Sequence, residues 1–195
     1  YGGLNMRYAS IRNLDISNGE GVGVSLFVQG CNKHCFNCFN PNTWDFNGGK
    51  EWTEETKNKF IKLIDRPYIN RISILGGEPL AEQNLDEVLS LIKEIRISFP
   101  KKSIWLYTGF TWDSIMNYKY TNKFTEKDVL FNFHIKKDLE MIQRKNIIKL
   151  CDVLVDGEYI DEQKDLSLKF KGSKNQRVID VQKSLAQNKI FLYCD

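Results

Sequence analysis

No hydrophobic run in the chain approaches the ~20 residues of a membrane span, and no apolar signal core opens it. Nor is there an excess of one charge. The 28 Lys and Arg against 25 Asp and Glu leave +3 over 195 residues, too little to imply a nucleic acid or an anionic membrane as partner. Histidine is confined to His34 and His134; no HExxH helix exists and no Ser-His-Asp set stands out. Internal repeats and low-complexity segments are missing as well. The five cysteines do not form a disulfide pattern, because three crowd between Cys31 and Cys38, which fits a reducing cytoplasm. What remains is an ordinary globular composition, 42% hydrophobic and 27% charged, long enough for a single domain over 1–195 with a real core. Tyr1–Asn5 precede Met6 and read as an expression remnant ahead of the natural start.

The informative stretch is Gly30-Cys31-Asn32-Lys33-His34-Cys35-Phe36-Asn37-Cys38-Phe39. It places Cys31, Cys35 and Cys38 in a CxxxCxxC array directly behind Val22–Gln29, an apolar, β-branched run that reads as a strand. The thiols therefore leave the C-terminal end of a strand, where α/β sheets and barrels put their chemistry. A structural zinc site wants four protein ligands, usually as two separated pairs; here Cys151, Cys194 and His134 are isolated. A cubane iron–sulfur cluster normally takes four Cys. Three on one loop imply a cubane with one iron left open, and an open metal position is a binding position. Incidental buried cysteines are the bland alternative.

Along the chain, Met6–Ile16 reads as an edge strand and Gly19–Gly23 as a turn into the first main strand. It is not a phosphate loop, which would follow a strand and open a helix. Pro41–Lys50 is a loop over the cysteines. Thr53 caps a helix with Phe60, Leu63 and Ile64 inward. Arg71–Leu75 is a strand with Gly76-Gly77-Glu78-Pro79 as its exit turn. Asn84 and Glu87 form a capping-box pattern before Leu85, Val88, Leu89, Ile92, Ile95 and Phe99 at helical spacing. Ile104–Tyr107 is a strand buried on both faces, and Thr111–Tyr118 starts a helix. Tyr118–Ile135 has no clean period and reads as an insertion. Lys136–Leu150 predicts a helix with Leu139, Ile142 and Asn146 inward, and with Lys136, Lys137, Arg144, Lys145 and Lys149 on a solvated face. Val153–Asp156 and Arg177–Val181 are strands. Repeated strand–helix units argue an α/β fold with a mostly parallel sheet. A closed eight-stranded barrel needs about 250 residues, so the sheet is expected to be a partial, open β/α barrel.

CxxxCxxC after the first strand and Gly76-Gly77-Glu78-Pro79 after the next resemble the radical S-adenosylmethionine superfamily. Within it the chain is most similar to the activating proteins of anaerobic ribonucleoside-triphosphate reductases. That similarity is carried by Ser25–Cys31, Cys38–Asn40, Thr43-Trp44, Leu106–Phe110, Asp152–Gly157 and Gly172–Arg177, in the family's order. The resemblance implies a radical-S-adenosylmethionine type of partial barrel and a 4Fe-4S cluster on Cys31, Cys35 and Cys38. It implies that S-adenosylmethionine chelates the fourth iron. Reductive cleavage then yields methionine and a 5′-deoxyadenosyl radical, which takes a hydrogen from a backbone glycine of the reductase. Gly76 and Gly77 would let the main chain approach the cofactor, and Glu78 and the Pro79 turn would accept from its ammonium. Asn37 by its backbone and Phe39 by its ring are candidates for adenine, although Phe39 is equally read as core. Thr108 and Asp156 end strands on the same rim. They are candidates for the ribose or methionine end, with a monovalent cation near Asp156, where a plain Asp-Gly turn is the simpler reading. Gly172–Arg177 is expected to border the target's entry. The electron donor would be a flavodoxin or a thioredoxin-linked system. The alternatives are an activase of another glycyl-radical enzyme, such as pyruvate formate-lyase, a small-molecule enzyme of the superfamily, and a zinc-stabilised binding module without catalysis.

Overall fold

Alternation of short apolar runs with amphipathic segments produces an α/β architecture in the computed structural model, which describes residues 6–120 and 131–194. In chain order the elements are β1 (Arg7–Asp15), β2 (Gly23–Val28), β3 (Lys50–Glu51), α1 (Glu54–Ile64), β4 (Arg71–Gly76), α2 (Leu85–Ser98), β5 (Ser103–Tyr107), α3 (Trp112–Met116), α4 (Phe131–Lys149), β6 (Val153–Asp156), β7 (Arg177–Asp180), α5 (Val181–Gln187) and β8 (Leu192–Cys194). Residues 1–5, read as a remnant, and 121–130, the middle of the expected insertion, lie outside the described residues. No described helix is long and apolar enough to cross a membrane.

One eight-stranded sheet runs in the order β3-β1-β2-β4-β5-β6-β7-β8. Its centre, β2-β4-β5-β6, is parallel. Both flanks are antiparallel: β1 pairs with β2 and β3, and β7 with β6 and β8. The sheet is thus mixed, which corrects the expectation of a mostly parallel one. Between β1 and β2 the physical reason is a short connection, residues 16–22, with no room for the crossover that parallel pairing needs; β7 and β8 run antiparallel although α5 lies between them in the chain. Likewise β1 is one strand in from the edge, with the two-residue β3 outside it.

Period-2 alternation divides the central strands between two faces. Val24, Leu26, Ile72, Ile74, Ile104, Leu106 and Leu154 join the helices in the larger core, while Trp105, Val153, Val155 and Val178 form a smaller cluster. The smaller cluster's face also carries buried polar groups, chief among them Arg71. Its guanidinium donates to the carbonyl oxygens of Asp15 (2.6 Å) and Asn18 (2.5 Å) and lies 3.5 Å from the Asp15 carboxylate. The Gly19–Gly23 turn is glycine-rich because it lies on this arginine: a Cβ at Gly19 would stand 2.6 Å from Arg71 Cδ, and one at Gly23 2.7 Å from Arg71 Cζ.

Thr53 caps α1 as its sequence position predicts, its Oγ1 accepting from Thr56 N–H at 3.2 Å. The capping box expected at α2 does not form. Asn84 has helical backbone angles, and its side chain makes no capping bond. It donates instead to the carbonyl oxygens of Gln29 (3.1 Å) and Glu78 (3.0 Å), so an amide that reads as a local cap serves a tertiary junction. In α2, Leu91 is buried where Leu89 is only partly so.

The inward face of α4 also differs from the expected one. Leu139 and Ile142 are 55% and 42% exposed and Asn146 is exposed, whereas Met141, Arg144, Ile147 and Ile148 are buried. Arg144 lies inward because its charge is compensated there. It pairs with Glu140 at 3.1 Å, donates to the Leu80 carbonyl at 2.9 Å, and stacks 4.9 Å from the Phe110 ring centroid.

Candidate metal and cofactor site

All four central strands are parallel, so their C-terminal ends open onto one rim. Loops leaving β2, β4, β5 and β6 enclose a cavity of about 570 Å³, lined by Cys31, Cys35, Cys38, Gly76, Gly77 and Glu78 among others. That volume is in the usual range for small-molecule sites.

The cysteine loop is anchored before it begins. Buried Gln29 donates from Nε2 to the carbonyls of Asn42 (3.0 Å) and Asp45 (2.8 Å). Gly30 N–H then bonds the Thr43 carbonyl (2.8 Å) and Cys31 N–H the Trp44 carbonyl (3.0 Å). Gly30 has φ +93°, and a Cβ there would fall 2.0 Å from the Phe46 ring. The loop turns back on itself through Cys38 N–H to Cys35 O at 3.1 Å. Asn40 N–H donates to Cys38 Sγ at 3.4 Å.

Cys31 is buried and Cys35 and Cys38 half-buried. Burial, the largest influence, pushes the Cys31 and Cys35 thiols above their ordinary range. Metal binding would reverse that, since ligating thiols are deprotonated. Among the described residues no three Cys, His, Asp or Glu side chains are grouped closely enough to grip a metal ion, so the thiols share one wall without being preassembled. Their chemistry suits iron–sulfur coordination. Among the described residues, the cavity lining also includes two whose buried donors have no acceptor, Trp44 Nε1 and Tyr107 OH, which is consistent with a space meant to be filled.

Opposite stands the turn after β4. Gly77 N–H bonds the Val28 carbonyl (2.9 Å) and Glu78 N–H the Gly30 carbonyl (2.7 Å), fastening it to the root of the cysteine loop. A Cβ on Gly76 would meet the Phe27 and Val28 backbone at 2.8 Å, and one on Gly77 the Gly30 carbonyl oxygen at 2.4 Å. Both glycines therefore have a packing reason to lack a side chain. Glu78 is buried, and its Oε1 accepts from Leu80 N–H (2.9 Å) and Thr108 Oγ1 (2.7 Å), its Oε2 from Gly109 N–H (2.8 Å). Burial raises its pKa, opposed by these donors. Thr108 lines the cavity, but its hydroxyl is engaged, donating to Glu78 and accepting from Phe110 N–H.

Two of the expected contact residues, Asn37 and Pro79, are not on the cavity wall. Asn37, at φ +51°, donates to Asp161 Oδ2 at 2.8 Å, and Pro79 is buried. Phe39 does line the cavity, more than half exposed, with its ring 4.9 Å from that of Tyr159. Asp156 is buried, and its carboxylate is gripped at both oxygens by Arg177, at 3.0 and 2.5 Å, while it accepts from Trp112 N–H at 2.7 Å. In the Gly172–Arg177 element, Gly172 packs against Phe39, where a Cβ would lie 2.7 Å from its ring.

Sequence reasoning assigned no role to Trp44 or Tyr107, or to the ion pair between Lys33 of the cysteine loop and Glu158 after β6 (2.7 Å). Aromatic character alone does not distinguish a core ring from one on a cavity wall; only the neighbours do.

Residues 17–179 match the family model described as a 4Fe-4S single cluster domain. The chain is 34% identical over 175 residues to the anaerobic ribonucleoside-triphosphate reductase-activating proteins of Salmonella typhi and of Escherichia coli K12, in each case covering 89% of this chain and 97% of the relative. The protein of the same name from Enterobacteria phage T4 is 33% identical, over 89% of this chain and 93% of its own.

Proposed function

The chain belongs to the anaerobic ribonucleoside-triphosphate reductase-activating proteins, built on a 4Fe-4S single cluster domain, and on that premise we propose that it activates such a reductase by forming a glycyl radical on it. Cys31, Cys35 and Cys38 would hold the cluster. Reduced, the cluster supplies the electron for cleavage of S-adenosylmethionine, the source of the hydrogen-abstracting radical. The observation that carries this reading is that the three thiols and the Gly76–Glu78 turn face one cavity at the ends of adjacent parallel strands.

In this reading the chain's own residues position and enclose. Glu78 Oε2 accepts one hydrogen bond among the described residues, leaving a lone pair that can take the cofactor's ammonium. Cys38 and Phe39 border the adenine end. Asn37 shapes that turn through Asp161, and Pro79 stiffens the opposite one. Thr108 keeps the Glu78 carboxylate aimed. The mixed sheet is read as the superfamily's partial barrel, a single domain over 1–195, with Gly172–Arg177 along the target's entry. A flavodoxin or thioredoxin-linked donor in the cytoplasm would supply electrons.

The test is anaerobic reconstitution, then reduction with S-adenosylmethionine and a reductase from the same organism. A glycyl-radical doublet on the reductase is expected. The same doublet on pyruvate formate-lyase alone, or a colourless zinc protein that releases no 5′-deoxyadenosine, would overturn the proposal.

A further inference from the structure

Among the described residues, the indole Nε1 of Trp44 is a buried donor with no acceptor. That nitrogen is sealed from solvent, yet Trp44 is one of the residues lining the cavity that Cys31, Cys35 and Cys38 share. The rest of the residue is held from two sides. Its carbonyl accepts from Cys31 N–H at 3.0 Å, and its ring stacks on His34, inside the CxxxC segment, with centroids 4.7 Å apart and 26° between planes. The other tryptophans are placed differently. Trp105 Nε1 is satisfied by Ser103 Oγ. Trp52 Nε1, like that of Trp44, is buried without an acceptor among the described residues, but its ring sits edge-on to Tyr8 and Phe60 in the core. Neither these two nor Trp112 lines the cavity, so position beside the thiols is what sets Trp44 apart.

Leaving a buried N–H unbonded costs about 1–3 kcal/mol, and an indole can only donate. An acceptor is therefore wanted beside the thiols, and the sulfurs of a thiolate-bound cluster are acceptors. The loop already uses such a bond, from Asn40 N–H to Cys38 Sγ at 3.4 Å. We propose that the Trp44 indole N–H donates to a sulfur of the cluster held by Cys31, Cys35 and Cys38, and so keeps the cluster's reduction potential higher than it would be without that bond. Such a bond favours the reduced state, whose sulfurs carry more negative charge. The inference rests on the proposed function, because it requires the cluster.

Trp44→Phe keeps a ring against His34 and removes the N–H. With iron restored to about four per chain and no S-adenosylmethionine present, redox titration followed by electron paramagnetic resonance should place the variant's midpoint below that of the wild type. An unchanged or raised midpoint overturns the inference and leaves the proposed function standing. Should the variant take up less iron, wild-type protein labelled with indole-15N tryptophan decides the matter. A 15N coupling to the reduced cluster is expected without S-adenosylmethionine. No coupling, or one that arises only when that cofactor is added, overturns it. A wild-type chain that binds no iron would fail both readings together.

Discussion

Replacing Gly77 with Ala asks whether the glycine turn after β4 exists for the fold or for a ligand. The added Cβ would stand 2.4 Å from the Gly30 carbonyl oxygen and 3.0 Å from that of Thr43. Both are backbone atoms, fixed by the hydrogen bonds that anchor the cysteine loop, so neither can swing aside. Restoring ordinary contact requires the turn to retreat by about 1 Å. That retreat stretches Gly77 N–H to Val28 O and Glu78 N–H to Gly30 O, now 2.9 and 2.7 Å. Two hydrogen bonds at about 1 kcal/mol each, with an overpacking cost of roughly 1–3 kcal/mol, give about 3–5 kcal/mol. For a chain of this size the melting temperature should fall by roughly 6–20 °C. The assay is thermal or urea unfolding of cofactor-free protein, with Gly109→Ala as control. At Gly109 the nearest atoms to an added Cβ are on the side chains of Lys33 (3.1 Å), Glu158 (3.4 Å) and Glu78 (3.4 Å), and the first two can move, so a loss under about 1 kcal/mol is expected. If Gly77→Ala unfolds with the wild type and loses only affinity for S-adenosylmethionine, the packing explanation is wrong.

Acid stability tests the polar floor. Burial alone would raise the Asp15 pKa, but donors from Asn18 and Ser17 outweigh it and lower the value from 3.8 to about 2. A depressed carboxylate stabilises the fold above its unfolded pKa, so about 2 kcal/mol present at neutral pH is lost as pH falls from about 4 to 2. Asp15→Asn should flatten the unfolding midpoint against pH in that window and cost about 3–5 kcal/mol at neutral pH, since Arg71 stays buried; an unaltered pH slope would refute the assignment. Arg144→Ala, which strands Glu140 and the Leu80 carbonyl, should lower stability by about 3 kcal/mol in urea titrations, whereas a solvated arginine would cost almost nothing. Cys31→Ala, Cys35→Ala or Cys38→Ala should abolish cluster uptake, read from iron content and visible absorption. Cys151→Ala should retain it, because that buried thiol, raised in pKa by burial, donates to the Ile147 carbonyl at 3.2 Å and is not among the residues lining the cavity; loss of iron there would show a fourth protein ligand.

Short-range chemistry was readable in the residues themselves. β-branched runs locate β2, β4, β5 and β6 to within a residue or so, Thr53 announces α1, and the spacing of Cys31, Cys35 and Cys38 names a metal chemistry, because each depends on neighbours a few positions away. Only the assembled chain decided that Asn84 would tie α2 to Gln29 and Glu78 and that Arg144 would turn inward. It also decided that β7 and β8 would run antiparallel and that Gly77 would be squeezed by Gly30. Those outcomes depend on groups brought together across long stretches of chain, where a buried charge or amide is tolerable only once its partner has arrived, and no local pattern records that arrival.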